Sequence, residues 1–185
     1  MSRLSYIDRE GSIAVGKLLM NRSRLDKIDH IADKVIWSAL FLGLILYPTI
    51  VYFHISISNS NDRAVAFVVF PFIILVGVYG LYRKLTENNL IVIETSWLKQ
   101  KNKEYLLEFA TKSGYEVIEE GTDILILNVE ESLSYDKVWT KTITFIINDG
   151  RIYFNIVKRY PKSNPPVFFT HLILKADLTK YFNNK

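Results

Sequence analysis

A cluster of basic and aromatic residues in the C-terminal part of the chain carries the side chains best suited to bind a ligand. It comprises Trp139, Lys141, Arg151, Tyr153, Lys158 and Arg159. The rings could stack on a nucleotide base, and the lysines and arginines could form charge-assisted hydrogen bonds with its phosphates. The same pattern is typical of a strand pair that buries its rings and exposes its charges, and this structural interpretation is the more common one. We predict these residues as ligand-binding candidates and leave both interpretations open.

No pattern in the sequence predicts an enzyme. The acidic stretch 115–131 superficially suits a metal-dependent nuclease, but such a site needs a Glu two positions before a Lys to help hold Mg²⁺. Trp139 stands two positions before Lys141 instead. The histidines fall in separate regions, cysteines are missing, and the H-E-x-x-H, G-x-S-x-G and phosphate-loop patterns do not occur. We therefore predict no catalytic residue, no metal site and no cofactor.

Two long uncharged stretches precede this cluster. No acid, Lys or Arg occurs from Val35 to Asn61 or from Ala64 to Tyr82. Each stretch is long enough for a helix that crosses a hydrocarbon layer about 30 Å thick. The sequence therefore predicts a membrane protein with two spans, Val35–Phe53 and Ala64–Tyr82, joined by a short polar loop that contains Asp62 and Arg63.

The distribution of basic residues predicts how these spans are oriented. Basic residues precede the first span and follow the second at Arg83 and Lys84, whereas the loop between the spans has only Arg63. The positive-inside rule then places both termini in the cytoplasm and the loop outside. We predict a multi-pass protein of the inner (plasma) membrane. The basic surplus surrounds the spans, so it indicates contact with lipid headgroups rather than with nucleic acid.

We predict three parts: a basic cytosolic lead over residues 1–34, a transmembrane hairpin over 35–84 and a cytosolic α+β domain over 85–185. The polar lead is too long for a cleavable signal peptide. Helical spacing predicts an amphipathic helix over 12–35. This helix lies either on the membrane surface or against the soluble domain or a second copy, and both possibilities remain open.

The soluble domain is predicted to contain one helix followed by five or more mainly antiparallel strands, as a curved sheet or small barrel. The helix begins at a cap on Thr95 or Ser96 and ends before Gly114. Period-two alternation and turn residues predict the strands. They cover 115–119, 124–130, 138–147, 151–160 and 167–176, with a further short strand or membrane exit at 89–95. Asn102 and Asn155 interrupt apolar patterns and are either structural pins, which we favour, or ligand contacts.

A basic lead, two close spans with a short outer loop and a compact β-rich domain follow one another along the chain. This order resembles the two-span membrane effectors of bacterial cyclic-nucleotide antiphage systems. The resemblance implies a domain that binds a cyclic nucleotide or is held in check by one, and spans that assemble and disrupt the inner membrane. We therefore predict a homo-oligomeric effector or sensor whose partners are the lipid bilayer and a cyclic nucleotide or a protein. The alternative is a membrane-anchored interaction protein, such as an accessory subunit, a scaffold or a toxin-immunity protein, without a ligand pocket.

Overall fold

The computed structural model describes residues 6–21, 23–54, 65–132, 138–159 and 166–185. The chain divides into two compact units. The first, here called the α+β unit, comprises Met1–Leu25 and Glu87–Lys185, and the second, here called the hairpin unit, comprises Asp26–Thr86. The residues before the first long helix therefore group with the C-terminal part of the chain.

The α+β unit begins with two short strands and a short helix: β1 (Ile7–Asp8), α1 (Arg9–Val15) and β2 (Leu19–Met20). After the hairpin unit it continues with β3 (Ile91–Glu94), the helix α4 (Lys99–Lys112), and the strands β4 (Glu116–Glu120), β5 (Ile124–Ser132), β6 (Val138–Asn148) and β7 (Arg151–Arg159). The last element is the helix α5 (Thr170–Asn183). The strands β3 to β7 form one five-stranded antiparallel sheet in the order β3-β7-β6-β5-β4.

The predicted hairpins are confirmed, and turn residues explain where they reverse. Gly150 adopts a φ of +69° between β6 and β7, a conformation that is free of strain only for glycine. The resulting two-residue connection pairs Asn148 with Arg151 and sets the register of both strands. The edge strand β4 is short, acidic and bulged between Val117 and Glu119, features that discourage pairing with another chain.

One face of the sheet, here called the helix face, packs against α4 and α5. Alternation in β6 sends Ile143, Phe145 and Ile147 to this face and leaves Thr142 and Thr144 on the other. Leu125, Leu127, Ile152, Phe154 and Ile156 complete the apolar surface of the sheet, and the helices cover it with Leu106, Phe109, Ala110, Leu174, Leu178 and Phe182. This is the main core of the unit.

The opposite face, here called the N-terminal face, is covered by the start of the chain. Leu18 is buried there against Ile124, Ile126, Ile146 and Tyr153. Ile7, Ile13 and Met20 pack beside it. The N-terminal segment therefore contributes a second, smaller core to the α+β unit.

The predicted helix over 12–35 is wrong as one continuous element. Asp8 caps α1 by accepting from the Gly11 amide, and the helix ends at Gly16, which adopts a φ of +69°. The strand β2 then follows before the next helix starts at Arg24. The helical spacing of apolar residues was real, but a glycine in a left-handed conformation ends a helix whatever the spacing on either side.

The predicted strand over 167–176 is also wrong, because most of this stretch belongs to α5. The buried residues of α5 are His171, Leu174, Leu178 and Phe182, which recur at helical spacing and continue past Asp177, where the apolar alternation stops. The sheet still has five strands, since the short stretch at 89–95 contributes β3 as its edge. The unit thus has a second long helix on the helix face in place of the predicted strand.

The hairpin unit contains two long apolar helices. The first, α2, spans Arg24–His54 with Pro48 inside it. The second begins as a π-helical turn at Val65–Val69 and continues as α3 over Phe70–Leu85, with Pro71 next to the junction between the two. By length and composition, Arg24–Tyr52 and Ala66–Leu85 could each cross a membrane. The predicted loop residues Asp62 and Arg63 lie outside the described residues.

The helices α2 and α3 meet through two glycines and one aromatic ring. Gly77 and Gly80 are buried, and a Cβ atom at either position would collide with α2. Their closest neighbours are the buried ring of Phe41 for Gly80 and the side chain of Ile45 for Gly77. Because both glycines serve contacts within the hairpin unit, they permit close packing of its own two helices.

Candidate functional site

The predicted ligand-binding cluster is divided between the two faces of the sheet. Lys141 lies on β6 opposite Lys158 and alternates with Ile143, which places it on the helix face. Tyr153 is opposite Ile146 and is 9% exposed in the core of the N-terminal face. The structure therefore does not bring Lys141 and Tyr153 together.

Of the remaining members of the cluster, Arg151 has a described side chain. Arg151 shares the face of Tyr153 but is exposed, with its Nη2 3.8 Å from Glu94 Oε1. Trp139, Lys158 and Arg159 lie in strands, and their side chains are outside the described part of the structure. The positions of these three in a site remain a prediction.

The acidic residues near the β4–β5 turn are engaged in ion pairs. Asp123 forms two ion pairs: its Oδ2 lies 3.0 Å from Arg9 Nη1, and its Oδ1 lies 2.7 Å from Lys99 Nζ. Glu120 pairs with Lys103 at 2.7 Å. The hydrogen bond from Lys99, with the nearby positive charges, lowers the pKa of Asp123 below its usual value. Among the described residues no group of three or more His, Asp or Glu side chains could hold a metal ion.

The start of helix α4 is held by the β6–β7 turn. The residue before the helix, Leu98, makes no capping hydrogen bond with its side chain, and the predicted cap at Thr95 or Ser96 is wrong. Asp149 supplies the cap instead, since its Oδ1 accepts a hydrogen bond of 2.7 Å from the Lys99 amide. A carboxylate at this end also interacts favourably with the helix dipole.

Asn102 locks the same region from inside α4. It is fully buried, and its Nδ2 donates to the carbonyl oxygens of Trp97 at 3.1 Å and Asn148 at 3.0 Å. The side chain thus joins the helix to the turn that caps it. These contacts agree with the prediction that Asn102 is a structural pin.

Asn155 makes an equivalent pair of bonds on the N-terminal face. It lies in β7, is 2% exposed, and its Nδ2 donates to the carbonyl oxygens of Glu87 at 2.7 Å and Asn89 at 3.0 Å. These are among the first residues after helix α3, which ends at Leu85. Asn155 therefore fixes the chain as it enters the α+β unit.

The segment before helix α2 is tied to the same residues. The Leu18 amide donates to the Asn88 carbonyl at 2.7 Å, and the Leu90 amide donates to the Gly16 carbonyl at 2.9 Å. The strand β2 follows at once, and α2 begins at Arg24. We call this arrangement the clamp, and it comprises Gly16–Leu18, Glu87–Leu90 and Asn155. Within the α+β unit, the clamp joins the segment that leads to α2 to the segment that follows α3.

The outer side of helix α5 forms an apolar stripe on the surface. Phe169, Leu172 and Ile173 are 61%, 53% and 59% exposed, and the exposed Ala176 continues them at helical spacing. A shallow open groove runs along the helix from Leu172 past Lys175 and Ala176 to Lys180. We call Phe169, Leu172, Ile173 and Ala176 the outer stripe.

Sequence reasoning missed both the clamp and the outer stripe. Asn155 was recognised as an odd polar residue, but nothing in the sequence showed that its partners lie in the segment after the second apolar stretch. The outer stripe was hidden because its residues were assigned to a strand. One signal could have revealed it: the helical spacing of apolar residues continues beyond Asp177, through Leu174, Leu178 and Phe182.

Comparisons of the chain with protein-family models, with curated proteins and with solved structures find no match.

Proposed function

We propose that this protein is a non-enzymatic membrane effector or sensor in which events at the α+β unit are transmitted to a two-helix membrane hairpin. The observation that carries the proposal is the clamp. A domain that is only anchored needs no more than a flexible tether. Here the segments next to both helices are hydrogen-bonded to each other, and Asn155 bonds the second of them to the sheet.

The exposure of the apolar helices supports the membrane part of the proposal. A long apolar helix in a soluble protein is mostly buried, but only 11% and 17% of the apolar windows of the two helices are buried. Leu46 and Ile50 in α2 and Phe72 and Leu75 in α3 are each more than half exposed. A lipid environment would remove this surface from water.

A cyclic nucleotide, as in the antiphage effectors that the chain resembles, would need stacking and basic groups on one surface. Tyr153 is buried and Lys141 lies on the other face, which leaves Trp139, two positions before Lys141 in β6, as the candidate for stacking beside that lysine. The alternative is a membrane-anchored interaction protein, whose α+β unit binds a macromolecular partner.

Single cysteines test the proposed topology, because the natural chain has none. Ser60→Cys marks the predicted outer loop, and Ser113→Cys marks the exposed end of α4. We expect a membrane-impermeant maleimide to label position 60 in intact cells and position 113 only after permeabilisation. Labelling of both positions in intact cells, or of neither, would contradict a hairpin with cytoplasmic termini.

Reconstituted protein tests the effector role. We expect the full chain in liposomes to cross-link into oligomers and to release an entrapped dye, with either effect changed by a cyclic nucleotide or a partner protein. A chain that inserts correctly but stays monomeric and never permeabilises liposomes would refute the effector proposal. Capture of one stable protein partner by such a chain would support the interaction protein instead.

A further inference from the structure

We infer that the outer stripe of α5 docks on the surface of an anionic membrane and holds the α+β unit against the bilayer. This inference rests on the proposed membrane anchoring and adds an interaction surface to it. The inner side of α5 carries His171, Leu174, Leu178 and Phe182, all buried. The outer stripe lies on the opposite side of the helix and faces solvent.

The composition of this surface fits a lipid interface. Phe169, just before α5, and Leu172 and Ile173 in its first turn are large exposed apolar residues. Lys175 and Lys180 lie along the same groove as Leu172, and with the exposed Asp177 they leave this side of α5 with a net positive charge. Amphipathic helices that lie in the interface combine apolar residues, which enter the acyl boundary, with lysines that attract anionic headgroups. The charge of this groove therefore complements an anionic leaflet.

The size of the stripe favours a membrane over a second protein surface. Three side chains that are a little over half exposed offer on the order of 300 Å² of apolar area. A stable protein interface buries about 800 Å² on each partner, so the stripe alone is too small for a dimer. A lipid surface has no such minimum when the domain is already tethered to it, because tethering raises the effective concentration of the surface.

In residues 12–35, where an interfacial helix was expected, Leu18 packs against the sheet, whereas Leu25 and Ile28 are exposed in α2, most of which belongs to the hairpin unit. The exposed amphipathic helix of the α+β unit is α5. It is folded in the unit and fixed on its inner side, so docking requires no ordering of a flexible segment.

Spin labels on single cysteines in the full chain test this docking in lipid nanodiscs. Leu172→Cys and Ile173→Cys report the outer stripe, and Thr122→Cys, in the exposed β4–β5 turn, is the control. Leu75→Cys, on the exposed surface of α3, reports insertion of the hairpin unit. In discs with anionic lipid we expect the stripe labels to be several-fold more accessible to oxygen than to a water-soluble nickel reagent, and the control label to show the reverse.

A second comparison tests the basic groups. Replacing Lys175 and Lys180 with Gln, or using only zwitterionic lipid, should move the stripe labels towards water. The loss of each lysine–headgroup interaction should lower the docking equilibrium constant roughly fivefold. Stripe labels that stay in water while the Leu75 label lies in lipid would overturn the inference and leave the proposed function intact. A Leu75 label in water would refute the membrane proposal itself. Spin–spin coupling between stripe labels on two copies would assign the stripe to a dimer and also overturn the inference.

Discussion

Replacing Asn155 with Ala should loosen the clamp. The substitution removes two hydrogen bonds, of 2.7 Å to the Glu87 carbonyl and 3.0 Å to the Asn89 carbonyl, from a side chain that is 2% exposed. A neutral hydrogen bond contributes about 0.5–1.5 kcal/mol net, so the loss should be about 1–3 kcal/mol. The loss should be greatest in the free energy of opening the clamp.

Amide hydrogen exchange of the full chain in nanodiscs measures this opening directly. The informative amides are those of Leu18 and Leu90, which donate across the clamp to Asn88 and Gly16. When exchange is limited by the opening equilibrium, a loss of about 1–3 kcal/mol accelerates it roughly 5- to 150-fold. We expect both amides to accelerate together in Asn155→Ala.

Asn102→Ala is the matched control. Asn102 is also buried and also donates to two backbone carbonyls, but its partners, Trp97 and Asn148, lie at the start of α4. We expect a similar overall loss of stability with faster exchange near residues 97–102 and little change in the clamp. Equal acceleration of the Leu18 and Leu90 amides in both variants, or none in Asn155→Ala, would refute the assignment of Asn155 to the clamp.

Four further changes test other parts of the structure. Lys84→Met should destabilise the hairpin unit by about 3–5 kcal/mol, because it removes the buried cation that neutralises the Asp33 carboxylate 2.6 Å away. Adding Asp33→Leu should restore most of the lost stability, and denaturation in mixed micelles measures both effects. Gly80→Leu should separate α2 from α3, which disulfide trapping between engineered cysteines would detect as lost cross-linking. Asp149→Ala should lower the urea midpoint of the α+β unit by an amount equivalent to about 1 kcal/mol, the usual effect of losing a helix cap. Hydrogen bonds from Lys112, and to a lesser degree from Lys185, lower the pKa of Glu108 from 4.5 to about 2. Their contribution to the stability of the α+β unit should be complete above pH 4.5 and should disappear as the pH falls towards 2. Glu108→Gln should remove this pH dependence of the urea midpoint.

Local patterns in the sequence were sufficient for most of the sheet and for helix α4. The Asp149-Gly150 pair between two alternating stretches predicted the β6–β7 hairpin, and the same alternation predicted β4 and β5. Both kinds of signal act between neighbouring residues, so they can be read without knowing the fold. The glycines that bring α2 and α3 together were visible as residues, but their use within one hairpin depends on packing between distant residues.

The stretch 167–176 shows where local reading fails. Its apolar residues fit a strand and a helix equally well over a short window, and tertiary packing on the helix face decided for the helix. The helix 12–35 failed for a different reason, since the apolar spacing hid the helix end at Gly16. In both cases the error also concealed a surface: the outer stripe of α5 in the first, and the covering of the N-terminal face in the second.

The register between strands divides the predicted ligand cluster between the two faces of the sheet. Alternation correctly grouped Arg151 with Tyr153 on one face of β7. A two-residue turn, however, pairs Asn148 with Arg151 and therefore pairs odd positions of β6 with even positions of β7, so that Lys141 lies opposite Lys158. Counting residues across the turn is enough to place Lys141 and Tyr153 on opposite faces. The contacts of Asn155 could not be found by such counting, because its partners lie 66 and 68 residues away.

In the proposed function, the clamp and the hairpin unit restrict how a signal could reach the membrane. Two spans would be too few to enclose a pore, so under this proposal a change in the α+β unit alters the membrane by changing how copies or partners associate. If only one helix were tied to the sheet, a change there could be absorbed by movement of the free end. Within the α+β unit the clamp joins the segments next to both helices, and within the hairpin unit Asp33–Lys84 and the buried glycines join the helices to each other. Association between hairpins, measured by cross-linking in the membrane, is therefore the output in which opening of the clamp should be detected.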